Sequence, residues 1–150
     1  VAWLKLTPQN SEKIKQFESE LEEHLLSSLR AENTQAQNGP INLAVRDTNG
    51  ELIAGLTGST SYGWLHVHMM WVAEVHRRQG YARQLLNEAF ALARDRGCHS
   101  AWLDTSSPSA HVAWTKMGFC DFGCLANAPD QHPKGHQRWF MQRSLPLEPL

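Results

Sequence analysis

The chemistry in this 150-residue sequence concentrates in the run Met70-Trp71-Val72-Ala73-Glu74-Val75-His76-Arg77-Arg78-Gln79-Gly80-Tyr81-Ala82. An apolar segment ends at Val72, a basic loop follows, and Gly80 opens a segment of helical periodicity. Such a turn leaves backbone N–H groups unpaired at the helix start, where the helix dipole adds partial positive charge. The two together favour a phosphate or pyrophosphate. Gly80 lets an anion approach the backbone, Ala82 keeps the first turn open, and Arg77 and Arg78 add charge. A second constellation, Cys120-x-x-x-Cys124 followed by His132-x-x-x-His136, carries donors suited to zinc. Its spacer is short, and Pro133 and Gly135 deny the histidines a helix. These residues read as strand cysteines and loop histidines, and no metal is expected.

The elements that must hold this loop can be read from periodicity. Residues 1–6 alternate as an edge strand. Thr7-Pro8 resembles a helix start, and Ile14, Phe17, Leu21 and Leu25 follow at helical spacing. Residues 33–40 form a polar loop. Apolar runs at 41–46 and 51–56 flank Asn49-Gly50, a hairpin signal. A turn at Tyr62-Gly63 leads into a strand over 64–72, and residues 74–79 form a polar loop. The helix from Gly80 buries Tyr81, Leu85, Leu86, Ala89, Phe90 and Ala93 and stops at Gly97. A strand near 101–103, a helix opened by Ser107-Pro108 and closed by Gly118, and strands near 119–125 and 137–143 complete the chain. The expected order is strand, helix, three strands, helix, strand, helix, two strands, a single mixed α/β domain spanning 1–150.

Composition bounds the function. Apolar residues make up 41% and charged residues 19%, and the net charge is −1. That balance excludes a dedicated DNA-binding role, which needs a basic face. Residues 52–73 contain no Asp, Glu, Lys or Arg, long enough to span a bilayer. Gly55, Gly58 and Gly63, with Ser59, Thr60 and Ser61 among them, break the run into two strands around a polar turn, so no membrane span is expected. Cys98, Cys120 and Cys124 are an odd number of thiols, read as reduced in a cytoplasmic protein. Trp3, Trp64, Trp102 and Trp139 read as core or cleft wall.

Arg77-x-x-Gly80-x-Ala82 resembles the Q/R-x-x-G-x-G/A signature of the GNAT superfamily of N-acetyltransferases. Downstream, Ser107-x-x-Ala110-x-x-Ala113-Trp114-x-x-x-Gly118-Phe119 is similar to that superfamily's N-x-x-A-x-x-F-Y-x-x-x-G-F segment. The likeness covers nearly the whole chain, and no G-x-G-x-x-G suggests a dinucleotide-binding fold instead. The resemblance implies a mostly antiparallel central sheet flanked by helices. It also implies acetyl-CoA as co-substrate, with no metal, and an amine acceptor, most simply a small primary amine. A protein amine, an aminoacyl-tRNA, or an acyl-CoA-binding module without turnover are the alternatives. Members are often dimeric, so a homodimer is among the assemblies implied.

Carried over by position, Met70, Trp71 and Val72 would lie along the pantetheine arm, one backbone N–H near Trp71 or Val72 holding the thioester carbonyl. Arg77, Arg78, Gln79, Gly80, Tyr81, Ala82 and Arg83 would wrap the pyrophosphate. Ser107 stands where the superfamily often has Asn, and Trp114 where it usually has a Tyr that protonates the leaving thiolate. An indole N–H donates a hydrogen bond but is no practical proton source. His66 and His68 precede the signature on the thioester-bearing strand, on the side of Met70 and Val72 by two-residue alternation. The spacing of His66 matches the glutamate base of the histone-acetyltransferase branch, and an imidazole titrating near 6.5 suits that task. His66 is thus the first candidate base and His68 the second.

Overall fold

The computed structural model describes residues 2–3, 5–32 and 38–150. The chain divides into two compact units, Val1–Gln35 and Ala36–Leu150. In the first, Pro8–Asn10 makes a single 3-10 turn that runs into helix α1, Ser11–Glu32. Thr7 precedes the turn with Pro8 at its first position, and Thr7 N donates to Asn10 Oδ1 at 3.2 Å, so the helical segment starts where Thr7-Pro8 suggested. The expected edge strand over 1–6 is not formed: Ala2, Trp3, Lys5 and Leu6 carry no strand pairing, and Val1 and Leu4 lie outside the described residues. Alternation over so few residues is too little to fix a strand without a partner edge.

The second unit holds strands β1 (Gly39–Arg46), β2 (Leu52–Ser61) and β3 (Trp64–Val72), helix α2 (Tyr81–Asp95), strand β4 (Ser100–Thr105), helix α3 (Pro108–Lys116) and strands β5 (Cys120–Ala126) and β6 (Gln137–Ser144). The strand order is β1-β2-β3-β4-β6-β5. Every neighbouring pair is antiparallel except β3–β4. At the first hairpin Asp47 Oδ1 accepts from Asn49 N at 2.8 Å and from Glu51 N at 3.0 Å, which closes the Asn-Gly turn. The charge-free run 52–73 is β2 and β3, and no described helix is long and apolar enough to cross a membrane.

The core lies where α2 and α3 meet one face of this sheet. Leu85, Leu86, Ala89, Phe90 and Ala93 of α2 are buried, as their spacing requires. They join Leu56, Leu65, Val67, Leu103 and Met141 from the strands and Trp114 and Phe119 from around α3. Each large side chain removed from water contributes about 1.5–3 kcal/mol. This packing fixes α2, and with it the loop at its start, against β3.

One local irregularity shapes everything near that loop. Between β2 and β3 the register jumps, Thr57 facing Met69 while Gly58 faces Val67. His68 is the extra residue of a β-bulge. A Cβ built on Gly58 would stand 2.6 Å from the His66 carbonyl oxygen, so the strands approach too closely here for any side chain. Gly58→Ala is expected to destabilise the fold by about 1–3 kcal/mol, since backbone must move to accept the methyl group. Chemical denaturation of wild type and variant checks this, and an unchanged midpoint contradicts it.

Candidate functional site

β3 and β4 pair only over Trp64↔Ser100, Leu65↔Ala101 and His66↔Trp102. Beyond that point β3 stays with β2 as far as Val72↔Ala54, while β4 stays with β6 as far as Thr105↔Trp139. The sheet therefore opens into a wedge. Along it the backbone N–H and C=O groups of β3 that point away from β2 face space rather than a strand. Buried groups of that kind require partners. A cavity of about 260 Å³ fills the wedge, between Val67, His68 and Met70 on one side and Leu103, Asp104 and Trp114 on the other.

A larger cleft of about 680 Å³ adjoins it, and Met70 and Ala110 line both. Its walls are the end of β3 at Trp71 and Val72, the start of α2, and the α3 face bearing Ala113, Lys116 and Met117. Gly80 caps α2 at φ +89, a left-handed conformation that disfavours any side chain. The first helical bond runs from Gln84 N to Gly80 O, so the N–H groups of Tyr81, Ala82 and Arg83 precede the ladder. A Cβ on Gly80 would meet no protein atom nearer than Gln84 Nε2 at 3.9 Å, so the space above it belongs to the cleft. Arg78 is also left-handed, at φ +61, a conformation that costs a non-glycine residue energy. Arg77 Nε donates to Val72 O at 3.2 Å and ties the loop to β3. Arg77, Arg78, Arg83 and Lys116 line the cleft, and among the described residues none of its lining side chains is acidic. Such a lining suits an anion.

The structure gathers most of the residues expected here. Met70, Trp71, Val72, Arg77, Arg78, Gly80, Tyr81, Ala82 and Arg83 all line the cleft. Gln79 lies between them in sequence, but its side chain folds back to donate to Val75 O at 3.1 Å. Ser107 is not in the lining. It caps α3, accepting from Ala110 N at 3.2 Å, and its Oγ lies 3.0 Å from Ser109 Oγ. Ser109 is the hydroxyl that lines the cleft. Trp114 is buried edge-to-face against Phe119, 5.2 Å between centroids, and walls the smaller cavity. Sequence reasoning missed Ser109, Lys116 and Met117. Their spacing with Ala110 and Ala113 follows one helical face, the signal that could have found them.

The histidines require a correction. Leu65 and Val67 face the core, and after the bulge Met70 and Val72 pack on the same side. His66 and His68 therefore do not share the Met70–Val72 face, as strict alternation predicted, because the extra residue shifts the phase of the strand. The His66 ring stacks on Trp102 at 3.7 Å and 9°, and meets the His68 ring edge-on at 4.4 Å. His68 lines the wedge cavity, and its Nε2 lies 2.9 Å from Ser59 Oγ. Asp104 lines the cavity opposite, its Oδ2 accepting from Arg138 Nε at 2.6 Å. Burial pushes the His66 pKa below its ordinary 6.5, the neighbouring His68 adds to that, and Asp104 opposes it. Cys120 and Cys124 sit exposed on β5, and among the described residues no group of three or more His, Cys, Asp or Glu side chains could hold a metal.

Residues 6–119 match the model of the Acetyltransferase (GNAT) family. An acetyltransferase from Agrobacterium fabrum is 39% identical over 85 residues, 57% of this chain and 62% of that protein. Blasticidin-S acetyltransferase from Streptomyces morookaense is 33% identical over 85 residues, 56% of this chain and 60% of that protein. The matched stretch thus spans about three-fifths of either curated relative. The crystal structure of an acetyltransferase from Bacillus cereus superposes with a TM-score of 0.71 at 27% identity, covering 97% of this chain and 98% of that one.

The lowered His66 pKa sets a pH dependence for stability. The folded state favours neutral His66, so its contribution is fully present above the unfolded value of 6.5 and is lost as the pH falls through the lowered folded value. Tm is expected to drop more steeply on acidification in the wild type than in His66→Gln. Parallel Tm–pH curves would show that His66 carries no such linkage.

Proposed function

Since the chain belongs to the acetyltransferase (GNAT) family, we propose that it acts as one N-acetyltransferase domain, moving the acetyl group of acetyl-CoA to a primary amine of a small molecule. The observation that carries this reading is the continuity of the two cavities through Met70 and Ala110. A cationic helix start at one end suits a pyrophosphate, the unpaired edge of β3 suits an arm carrying amide groups, and His68 and Asp104 stand at the other end. That a relative is named for blasticidin S supports a small-molecule acceptor.

Acetyl-CoA supplies an acyl group already activated as a thioester. The residues of the chain supply placement and proton handling. Arg77, Arg78 and Arg83, with the amides after Gly80, hold the diphosphate. Main-chain groups of Met70 to Val72 hold the arm, and an N–H near Trp71 or Val72 polarises the acyl carbonyl. The acceptor nitrogen forms the new C–N bond as the C–S bond breaks. An alkylammonium has a pKa of roughly 10.4 and must first lose a proton. His68 is the better-placed base, because it lines the cavity where the acyl group would lie. A Nε2–H donating to Ser59 Oγ leaves Nδ1 to take the proton. His66, stacked on Trp102, orients the His68 ring from its edge. Trp114 is a wall, and the leaving thiolate, whose thiol has a pKa of roughly 8.5, takes its proton from water.

Acetyl-CoA is expected to raise Tm of the wild type by mass action, since excess ligand at a hundred times Kd stabilises by about 2.7 kcal/mol. Gly80→Val puts a branched side chain into the cradle and a strained backbone beneath it. The variant starts from a lower Tm, so the ligand-induced increment is the quantity to compare. Equal increments would exclude this loop as the diphosphate site.

The choice of base has its own test. His68→Gln is expected to lower kcat by roughly a hundredfold and to remove an ascending limb from the pH profile of kcat/KM. His66→Gln is expected to cost less. Measuring both with an acceptor of low amine pKa separates the side chain from the amine's own ionisation. A larger loss at position 66 would restore His66 as the base.

A further inference from the structure

The face of the sheet turned away from α2 and α3 carries an unusual concentration of rings. Trp64 of β3, Trp102 of β4, Phe122 of β5 and Phe140 of β6 line a shallow shelf of about 550 Å³, and Gln142 supplies its polar edge. Four strands contribute one ring each, so the shelf is a property of the sheet rather than of one loop. Phe122 is the unpaired residue of a second irregularity, where Asp121 faces Met141 and Gly123 faces Phe140. Its ring reaches within 6.2 Å of Phe140 and is half-exposed.

The shelf is joined to the wedge cavity by β4. Trp102 lines the shelf, and Asp104, two residues on and so on the same side of the strand, lines the cavity beside His68. Asp104 also pairs in register with Phe140. The His66 ring covers Trp102 from one side, which holds the indole in place. A carboxylate fixed by Arg138 still has acceptor capacity for an ammonium group. The geometry thus offers a carboxylate for a cation, and a ring-lined surface for whatever is attached to it.

We propose that this shelf is the subsite for the acceptor's side group, and that the preferred acceptors are arylalkylamines. Their amine lies at Asp104 and His68, and their flat aromatic group lies on Trp64, Trp102, Phe122 and Phe140. Aromatic groups gain from edge and offset contacts beyond the area they bury. An aliphatic amine reaches the same carboxylate but leaves the shelf to water. The substrate class rests on the acetyl-transfer reading above, whereas the shelf itself can be tested by binding alone.

Two measurements decide it. In the first, binding of 2-(1-naphthyl)ethylamine and of butylamine is followed by tryptophan fluorescence and calorimetry, without acetyl-CoA. The naphthyl probe is expected to bind at least tenfold more tightly, and Phe122→Ala to remove most of that difference. In the second, kcat/KM is measured for 2-phenylethylamine and butylamine with acetyl-CoA. The aryl-to-alkyl ratio is expected to exceed tenfold and to fall about tenfold in Phe122→Ala, mainly through KM. Equal affinity for the two probes, or an equal loss for both acceptors in the variant, overturns the proposal. Sedimentation showing a dimer that Phe122→Ala dissolves also overturns it, since the shelf would then be covered by a second copy. Shelf-dependent binding with no acetyl transfer to any amine would leave the subsite standing and remove the acetyltransferase reading.

Discussion

The parting of β3 and β4 after His66↔Trp102 is the constraint on which the rest of the second unit depends. Two parallel strands that kept pairing would satisfy each other's backbone and leave no room between them. Here each is held by a different antiparallel neighbour, β3 by β2 and β4 by β6, and the packing of α2 and α3 on one face keeps both in place. Opening the seam leaves polar main-chain groups along β3 without a strand to meet them. That is costly unless water or a ligand meets them instead. The cleft, the cavity and the basic loop are all arranged along that open edge.

The bulge at His68 adds a second adjustment on the same strand. It lets β3 face the core with Leu65 and Val67 before the bulge and with Met70 and Val72 after it. It also turns His68 into the cavity beside Asp104. Gly58 across from it is the structural counterpart, since no Cβ fits against the His66 carbonyl. The basic loop thus follows the end of β3, while His68 lies at its middle, where the phase of the strand changes.

Much of this was legible in the sequence, and the failures have physical causes. α2 was readable because its apolar stripe recurs at helical spacing, and the loop before it because Gly80 and two arginines interrupt an apolar run. The β1–β2 hairpin was readable from Asn49-Gly50. The sides of His66 and His68 were not, because the bulge leaves no mark on its own strand, and the close approach it makes is allowed by a glycine across the sheet. β2 runs on to Ser61 where small polar residues hid it. Ser107 was chosen over Ser109 because a motif position was followed rather than the helical face, and the first serine of Ser-Pro-Ser is the one used up in capping α3.

The open edge of β3 has a consequence for how such a site can change over time. Groups that would meet an acyl donor along this edge are main-chain amides and carbonyls, which every residue type provides. Met69 is exposed at the wedge cavity and Trp71 at the cleft. Substitutions there alter what lines the two spaces without rewriting the edge itself. The edge is thus recorded in strand geometry and its surroundings in side chains. Those side chains could change repeatedly while the edge stays intact.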